Sequence, residues 1–127
     1  MFSQVNPVNW FEIPASDLKR ATRFYEAVFD VKLAPQEMGS FQLVFFPMER
    51  GAAGAGGSLV KGEGYVPSHQ GTQVYFRVKA IEASLKKIVQ AGGKTLLPRT
   101  SIGQYGFIAH FEDSESNRVA LHEAPQG

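Results

Sequence analysis

Two stretches of this sequence follow the same pattern at a constant spacing. Residues 10–33 can be laid over residues 73–96, which begin 63 positions later. Each copy has an alternating apolar strand, a short polar turn, an amphipathic helix and a second extended segment. Such self-similarity, with a period of about half a domain, indicates two copies of one supersecondary unit. Two paired units create a cleft, and clefts are where small molecules bind.

The strands of both copies are read from runs of alternating or continuous apolar residues. Pro14 is expected to end the first strand, because proline cannot donate to a sheet ladder. The segment from Glu49 to Gly57 is rich in glycine and alanine and is predicted to be a loop. Strands are predicted over residues 8–13, 41–46, 58–62, 73–78, 95–98, 107–113 and 118–123.

One helix is predicted in each copy, over residues 17–29 and 80–91. Ser16 or Asp17 is expected to cap the first helix, and Asp30 is expected to adopt a positive φ after it. Glycines at 92 and 93 are predicted to end the second helix. The predicted buried positions are Leu18, Ala21, Tyr25 and Val28 in the first helix and Ile81, Leu85 and Ile88 in the second.

Each half therefore has the order β-α-β-β-β, which predicts an α+β domain with helices on one face of mostly antiparallel sheets. Two such modules are expected to pair into a partial barrel around a cleft. The whole chain of 127 residues is predicted to be one domain. The first module spans about 8–62, the linker about 63–71, and the second module about 72–123.

Composition excludes several kinds of function. The formal net charge is +1 and no basic stripe is present, so nucleic acid is not an expected partner. The absence of cysteine excludes disulfides, thiolate nucleophiles and cysteine metal sites. No signal peptide or membrane-spanning apolar run is visible, and we expect a cytoplasmic protein without a membrane partner.

Three segments carry a resemblance to a known family. They are SDLKRATRFYEAVF in the first helix, AGGK at the end of the second, and YGFIAHFEDSESNRVALHE near the C-terminus. Together with the paired βαβββ order, they resemble the vicinal oxygen chelate superfamily. This superfamily contains glyoxalase I, extradiol dioxygenases, and fosfomycin- and bleomycin-resistance proteins. The resemblance implies a cleft that binds a small molecule, a divalent metal in most members, and a homodimer.

The resemblance also implies where metal ligands would lie, in the first and last strand of each module. The matching positions are Trp10 and Gln73 in the first strands, Ala120 in the last strand, and one residue within 58–60. Only Gln73 among the three assigned positions has a side chain that could bind a metal. We therefore expect no metal cofactor. The alternative is a divalent metal held by relocated ligands, namely Glu12, Gln73 and His122.

The predicted ligand-binding cleft combines these positions with neighbours on the same strand faces. His110 is either an acid–base group facing the cleft or a packed core residue. Arg77 either grips a carboxylate or phosphate or forms a surface ion pair. Glu12 and His122 either contribute to a metal site or lie at the rim, solvated or paired with each other. The predicted cleft residues are Trp10, Glu12, Gln73, Tyr75, Arg77, Tyr105, His110, Ala120 and His122.

Three functions are compatible with these features. The first is metal-free binding of a small, partly aromatic molecule, as in bleomycin-resistance proteins, with Trp10 as a stacking surface. The second is a metal-dependent lyase or dioxygenase with relocated ligands. The third is an accessory subunit whose cleft is filled by its own side chains. Whether any reaction is catalysed, and by which residues, stays open at this level.

Overall fold

The computed structural model of the chain describes residues 3–126, Met38 by its backbone alone. A short 3-10 helix spans Gly103–Tyr105. The first module comprises β1 (Trp10–Pro14), α1 (Leu18–Phe29), β2 (Ala34–Met38), β3 (Phe41–Phe45) and β4 (Gly56–Lys61). The second comprises β5 (Tyr75–Arg77), α2 (Ile81–Gln90), β6 (Lys94–Ser101), β7 (Phe107–Glu112) and β8 (Arg118–Glu123).

The two modules have the same topology. Their strand orders are β1-β4-β3-β2 and β5-β8-β7-β6, so each first strand lies beside the last strand of its own module. The β1–β4 and β5–β8 pairs are parallel, and the other pairs are antiparallel. The predicted α+β class with two βαβββ modules is confirmed. The two four-stranded sheets do not close into a complete barrel.

Helix α1 has a capped start and a left-handed end, as its sequence predicts. Asp17 is the N-cap, and its carboxylate accepts a hydrogen bond from the backbone N–H of Arg20 at 3.0 Å. Asp30 follows the helix with φ of 53°. Leu18 is only half-buried, whereas Phe24, which the periodicity did not select, is buried. The helix buries Ala21, Phe24, Tyr25 and Val28.

Helix α2 begins without a side-chain cap of its own. Its N-cap residue is Ala80, which has no side-chain hydrogen bond to offer. Ile81 and Ile88 are buried as predicted, and Leu85 is partly buried against the same core. The helix ends before Gly92, whose φ of 103° is strained for any residue with a side chain.

One hydrophobic core joins both modules through the faces of the sheets that meet the helices. Ile13, Leu59 and Val44 are register partners on the helix-facing side of the first sheet. Phe76 occupies the corresponding side of β5, and its ring lies 5.5 Å from that of Phe11 on β1. Side chains of the edge strands β1 and β5 therefore meet, although the two strands belong to separate hydrogen-bonded sheets.

A polar turn between β7 and β8 fastens the second module to the first. The Tyr25 hydroxyl donates to Asp113 at 2.7 Å, and burial together with this carboxylate raises the pKa of Tyr25. The Asn117 side-chain amide donates to the Pro14 carbonyl at 2.8 Å. Glu115 accepts from the backbone N–H groups of Ser16 and Asp17, each at 2.8 Å. The start of α1 is thus held by residues almost a hundred positions away.

Several predicted strand limits were wrong. The first strand begins at Trp10 and includes Pro14, which is tolerated because β1 is an edge strand. The strand predicted over 73–78 is regular only over Tyr75–Arg77. The segment predicted as 95–98 extends over Lys94–Ser101, across Pro98, again at a sheet edge. Edge strands need only one hydrogen-bonded neighbour, so their limits are set by pairing rather than by local pattern.

Candidate functional site

A groove of about 1110 Å³ lies along the outer strands β1 and β5. Five of the nine predicted cleft residues line it: Trp10 and Glu12 from the first module, and Gln73, Tyr75 and Arg77 from the second. The groove also receives the phenylalanines Phe11, Phe29, Phe46 and Phe76, which gather between the modules. It is therefore a largely aromatic depression with charged side chains at its margins.

Trp10 forms the indole surface of the first module. It is half-buried, and its ring meets that of Phe45 edge-on at a centroid distance of 5.1 Å. Gly56 is its register partner on β4. A Cβ atom on Gly56 would lie 2.5 Å from the Met48 sulfur and 3.4 Å from the indole ring. The missing side chain at this position lets Met48 and the indole approach the strand.

Glu12 lies on the same face of β1 and is held by the segment that links the modules. The Tyr65 hydroxyl donates to its carboxylate at 2.9 Å. This hydrogen bond is the main reason why the pKa of Tyr65 is raised. Glu12 remains exposed. It is paired with Tyr65, which sequence reasoning did not select, rather than with His122.

Gln73, Tyr75 and His110 form a polar cluster on the helix-free face of the second sheet. The Gln73 side-chain nitrogen lies 3.1 Å from His110 Nε2 and 3.3 Å from the Tyr75 hydroxyl. Burial lowers the pKa of His110, and the positive charge of Arg118 lowers it further. His110 is therefore neutral at pH 7, and its Nε2 can accept a hydrogen bond from the Gln73 amide.

Ala120 lies beneath this polar cluster. Its register partners are Tyr75 on β5 and His110 on β7, and none of its surface is exposed. The small side chain leaves the space across which Gln73 and His110 meet. At this position, where the family resemblance places a metal ligand, the chain has alanine, and a side-chain hydrogen bond joins Gln73, two residues before β5, to His110 on β7.

His122 and Tyr105 meet each other away from the groove lining. His122 Nε2 lies 2.7 Å from the Tyr105 carbonyl, which accepts the imidazole N–H. The Tyr105 side chain is 66% exposed at the surface. His122 is the register partner of Arg77, so it borders the groove through that arginine.

The register of the first sheet indicates which residue within 58–60 matches the fourth metal-ligand position implied by the family resemblance. Ser58 pairs with Glu12 as Ala120 pairs with Tyr75, so Ser58 and Ala120 are counterparts. Trp10 and Ala120 have no metal-binding atom, and Ser58 and Gln73 supply only neutral oxygens. This donor set does not fit a divalent transition metal, which takes imidazole, carboxylate or thiolate ligands.

The relocated metal site stays a prediction. Each of its three proposed ligands has a different partner: Tyr65 for Glu12, His110 for Gln73, and the Tyr105 carbonyl for His122. Across residues 3–126 there is no group of three histidine, aspartate or glutamate side chains placed to hold a metal ion.

Sequence reasoning missed much of the groove wall. Phe29, Phe46 and Phe76 line it, and the exposed side chains of Lys79 and Lys87 stand at its margin. The high phenylalanine content was the one available signal, since ten of the 127 residues are phenylalanine. That signal could not say which rings face the core and which face a ligand.

The fold and these positions define a class of protein: paired βαβββ modules with a groove along their adjoining strands. The sequence profile of the Glyoxalase/Bleomycin resistance protein/Dioxygenase superfamily matches residues 7–121. The chain belongs to this superfamily. A glyoxylase-like domain-containing protein from Didymella fabae is 27% identical over 124 residues, which cover 93% of this chain and 94% of that protein.

Solved structures share the fold at low sequence identity. A glyoxylase/bleomycin resistance protein/dioxygenase domain from Frankia sp. EAN1pec has a TM-score of 0.72 and 15% identity, with 95% of this chain and 99% of that chain covered. TnmS3, an antibiotic binding protein from Streptomyces sp. CB03234, has a TM-score of 0.65 and 21% identity, with coverages of 95% and 98%.

A longer relative contains this fold as part of its chain. The V278E mutant of glyoxalase I from Zea mays has a TM-score of 0.69 and 19% identity. The match covers 94% of this chain but 48% of the maize protein, so this chain spans about half of that enzyme.

In the part of the chain that the structure describes, no helix is long and apolar enough to cross a membrane.

Proposed function

We propose that this protein binds a small, planar, partly aromatic molecule in the groove between its modules, without a metal ion. The observation that carries the proposal is Trp10. A half-buried indole occupies the first-strand position where the family resemblance places a metal ligand, and it faces an aromatic groove. An indole offers a large apolar surface and favourable ring contacts to a planar ligand.

Two further features support binding rather than metal chemistry. At two positions where the family resemblance implies metal ligands, Ala120 has no ligand atom and Ser58 offers only a hydroxyl. A structural relative of similar length, TnmS3, is an antibiotic binding protein, so the same fold is compatible with sequestering an organic molecule. The homodimer and the cytoplasmic location implied at the outset belong to this proposal, and sedimentation velocity would test the former.

Binding can be tested directly because the chain contains a single tryptophan. Titration with a library of planar aromatic compounds should quench or shift the emission of Trp10, and calorimetry should give matching affinities. The matched control is Phe41→Trp in a Trp10→Phe background, since Phe41 is exposed and lies outside the groove lining. If no compound perturbs Trp10, or if both tryptophans respond equally, the proposed site is wrong.

The metal-dependent alternative has its own test. Protein dialysed against Zn²⁺, Ni²⁺, Mn²⁺ and Fe²⁺ should retain less than stoichiometric metal by elemental analysis. Stoichiometric metal in the wild type that is lost in Gln73→Ala and His122→Ala would replace the binding proposal with a metal-dependent enzyme. The control variant is His69→Ala, which removes an exposed histidine that contacts Glu112 instead of the groove.

A further inference from the structure

The two sides of the groove differ in charge as well as in shape. The first module supplies the indole of Trp10 and one carboxylate, that of Glu12. The second supplies three cationic side chains, those of Arg77, Lys79 and Lys87, all of them exposed. In the described lining, aromatic side chains therefore come from both modules, whereas the positive charges come from the second module.

None of these three cations has an ion-pair partner in the part of the chain that the structure describes. The ion pairs among the described residues join Glu112, Glu115 and Glu123 to other basic residues, and none of them includes Arg77, Lys79 or Lys87. The one acidic group in the groove lining, Glu12, accepts a hydrogen bond from Tyr65. A positive field on this side of the groove consequently remains available to a ligand.

A second, independent observation comes from Arg118 on β8. Its Nε atom is buried and has no acceptor among the described residues. Arg118 lines a small cavity of about 90 Å³, which shares Glu12, Thr72 and Val74 with the groove. The same arginine contributes to the lowered pKa of His110. A buried donor without a partner calls for an acceptor from solvent or from a ligand.

We infer, on the basis of the proposed function, that the ligand is an aromatic ring system that bears an oxyanion such as a carboxylate. Its ring lies against Trp10 and the neighbouring phenylalanines. Its anionic group faces Arg77, whose planar guanidinium can donate two parallel hydrogen bonds to a carboxylate. Lys79 and Lys87 add long-range attraction that salt weakens.

The test uses two probes of almost the same shape, 2-naphthoate and its neutral amide, 2-naphthamide. At low ionic strength the wild type should bind the carboxylate about tenfold more tightly than the amide, as measured by Trp10 quenching and calorimetry. Raising the ionic strength from about 0.01 M to about 1 M should remove most of this preference. The amide affinity should change little with salt.

Variants locate the charge that gives the preference. Arg77→Gln should weaken naphthoate binding by about tenfold and leave naphthamide binding unchanged. Lys87→Gln should have a smaller effect of the same kind. Lys86→Gln is the matched control, because Lys86 is exposed on the same helix and lies outside the groove lining.

Each outcome has a distinct meaning. Equal affinity for the two probes in the wild type, or an unchanged preference in Arg77→Gln, overturns the inference and leaves aromatic binding in place. Failure of both probes to perturb Trp10 overturns the proposed function and the inference together. A preference that Lys86→Gln reduces as much as Lys87→Gln would assign it to the net charge of the protein, and the inference would again be wrong.

Discussion

The two modules share a backbone plan and differ in the chemistry of their helix-free faces. Their helices begin at Leu18 and Ile81, 63 residues apart, and their strand orders are the same. On the first face the indole of Trp10 packs against Phe45. On the second face the Gln73 side chain forms a hydrogen bond with His110. A repeated scaffold thus positions two unlike surfaces around one groove.

The modules also start their helices in different ways. Helix α1 has a cap of its own in Asp17 and a second acceptor, Glu115, supplied by the other module. Helix α2 begins at Ile81 and its N-cap residue, Ala80, provides no side-chain cap, but Glu123 of its own module accepts from the Ile81 N–H at 2.9 Å. The start of the first helix is therefore held partly by the other module, and the start of the second is held by its own module.

The largest expected effect is the loss of the carboxylate shared between modules. Glu115→Ala removes the acceptor of two backbone N–H groups and of Arg20, which lies 2.6 Å away. Leaving these donors without a partner should lower the free energy of unfolding by about 3 kcal/mol. Urea denaturation measures this decrease in the free energy of unfolding. Glu123→Ala, the counterpart within the second module, should give a smaller decrease, and a larger decrease in this variant would reverse the comparison.

The difference between the two faces should appear next, in ligand binding. Trp10→Ala removes the indole surface and should weaken binding of neutral 2-naphthamide by about tenfold or more, as measured by calorimetry. Tyr75→Phe, on the opposite side, keeps the ring and should change this affinity by less than about threefold. If Tyr75→Phe has the larger effect, the ligand is held chiefly by the polar face of the second module.

His110 and the carboxylates should contribute to the pH dependence of the free energy of unfolding in different pH ranges. Because its pKa is lowered on folding, neutral His110 favours the folded state above its unfolded value of about 6.5. This contribution is lost as the pH falls through the lower folded value. His110→Gln should therefore flatten the decline in unfolding free energy between about pH 7 and pH 5. An unchanged slope would mean that His110 titrates alike in both states.

A second decline in the free energy of unfolding should follow at lower pH. Burial raises the pKa of Glu115, but hydrogen bonds from Arg20, the Asp17 backbone N–H and Ser114, together with the charge of Arg20, lower it overall. The pKa of Glu123 is lowered chiefly by hydrogen bonds from Arg99 and from the Ile81 backbone N–H. Their contributions are present above the unfolded value of about 4.3 and are lost as the pH falls through the folded values. Asp113, whose pKa burial raises, opposes this trend. The same denaturation series in Glu115→Ala should show a shallower acid limb.

The smallest expected effect is a gain at the start of α2. Ala80 has extended backbone angles of φ −144° and ψ 111°, which suit an N-cap. Ala80→Ser adds a hydroxyl acceptor without new charge beside Glu123 and should raise the free energy of unfolding by about 0.5 kcal/mol. Thermal denaturation would detect it. Ala83→Ser, three residues inside the helix, is the control and should give no gain.

Much of the fold could be predicted because its signals are local. The limits of β8 and the positive φ of Asp30 follow from runs of apolar residues and from the chemistry of helix ends. The groove could be predicted only in part. The family resemblance implied Trp10 and Gln73, and strand alternation added Glu12, Tyr75 and Arg77. Phe29 lines the groove beside Phe76 of the other module, and Lys87 lines it from α2, and no local pattern encodes either position.

By itself, the sequence determined the repeat, the order of elements in each module and the absence of ligand chemistry at Trp10 and Ala120. These are properties of spacing and residue type, which act over a few positions. The tertiary structure alone decided that Glu115 caps a helix from the other module and that Gln73 meets His110 across Ala120. Those contacts join residues far apart in the chain, and their geometry exists only after both modules have packed on one core.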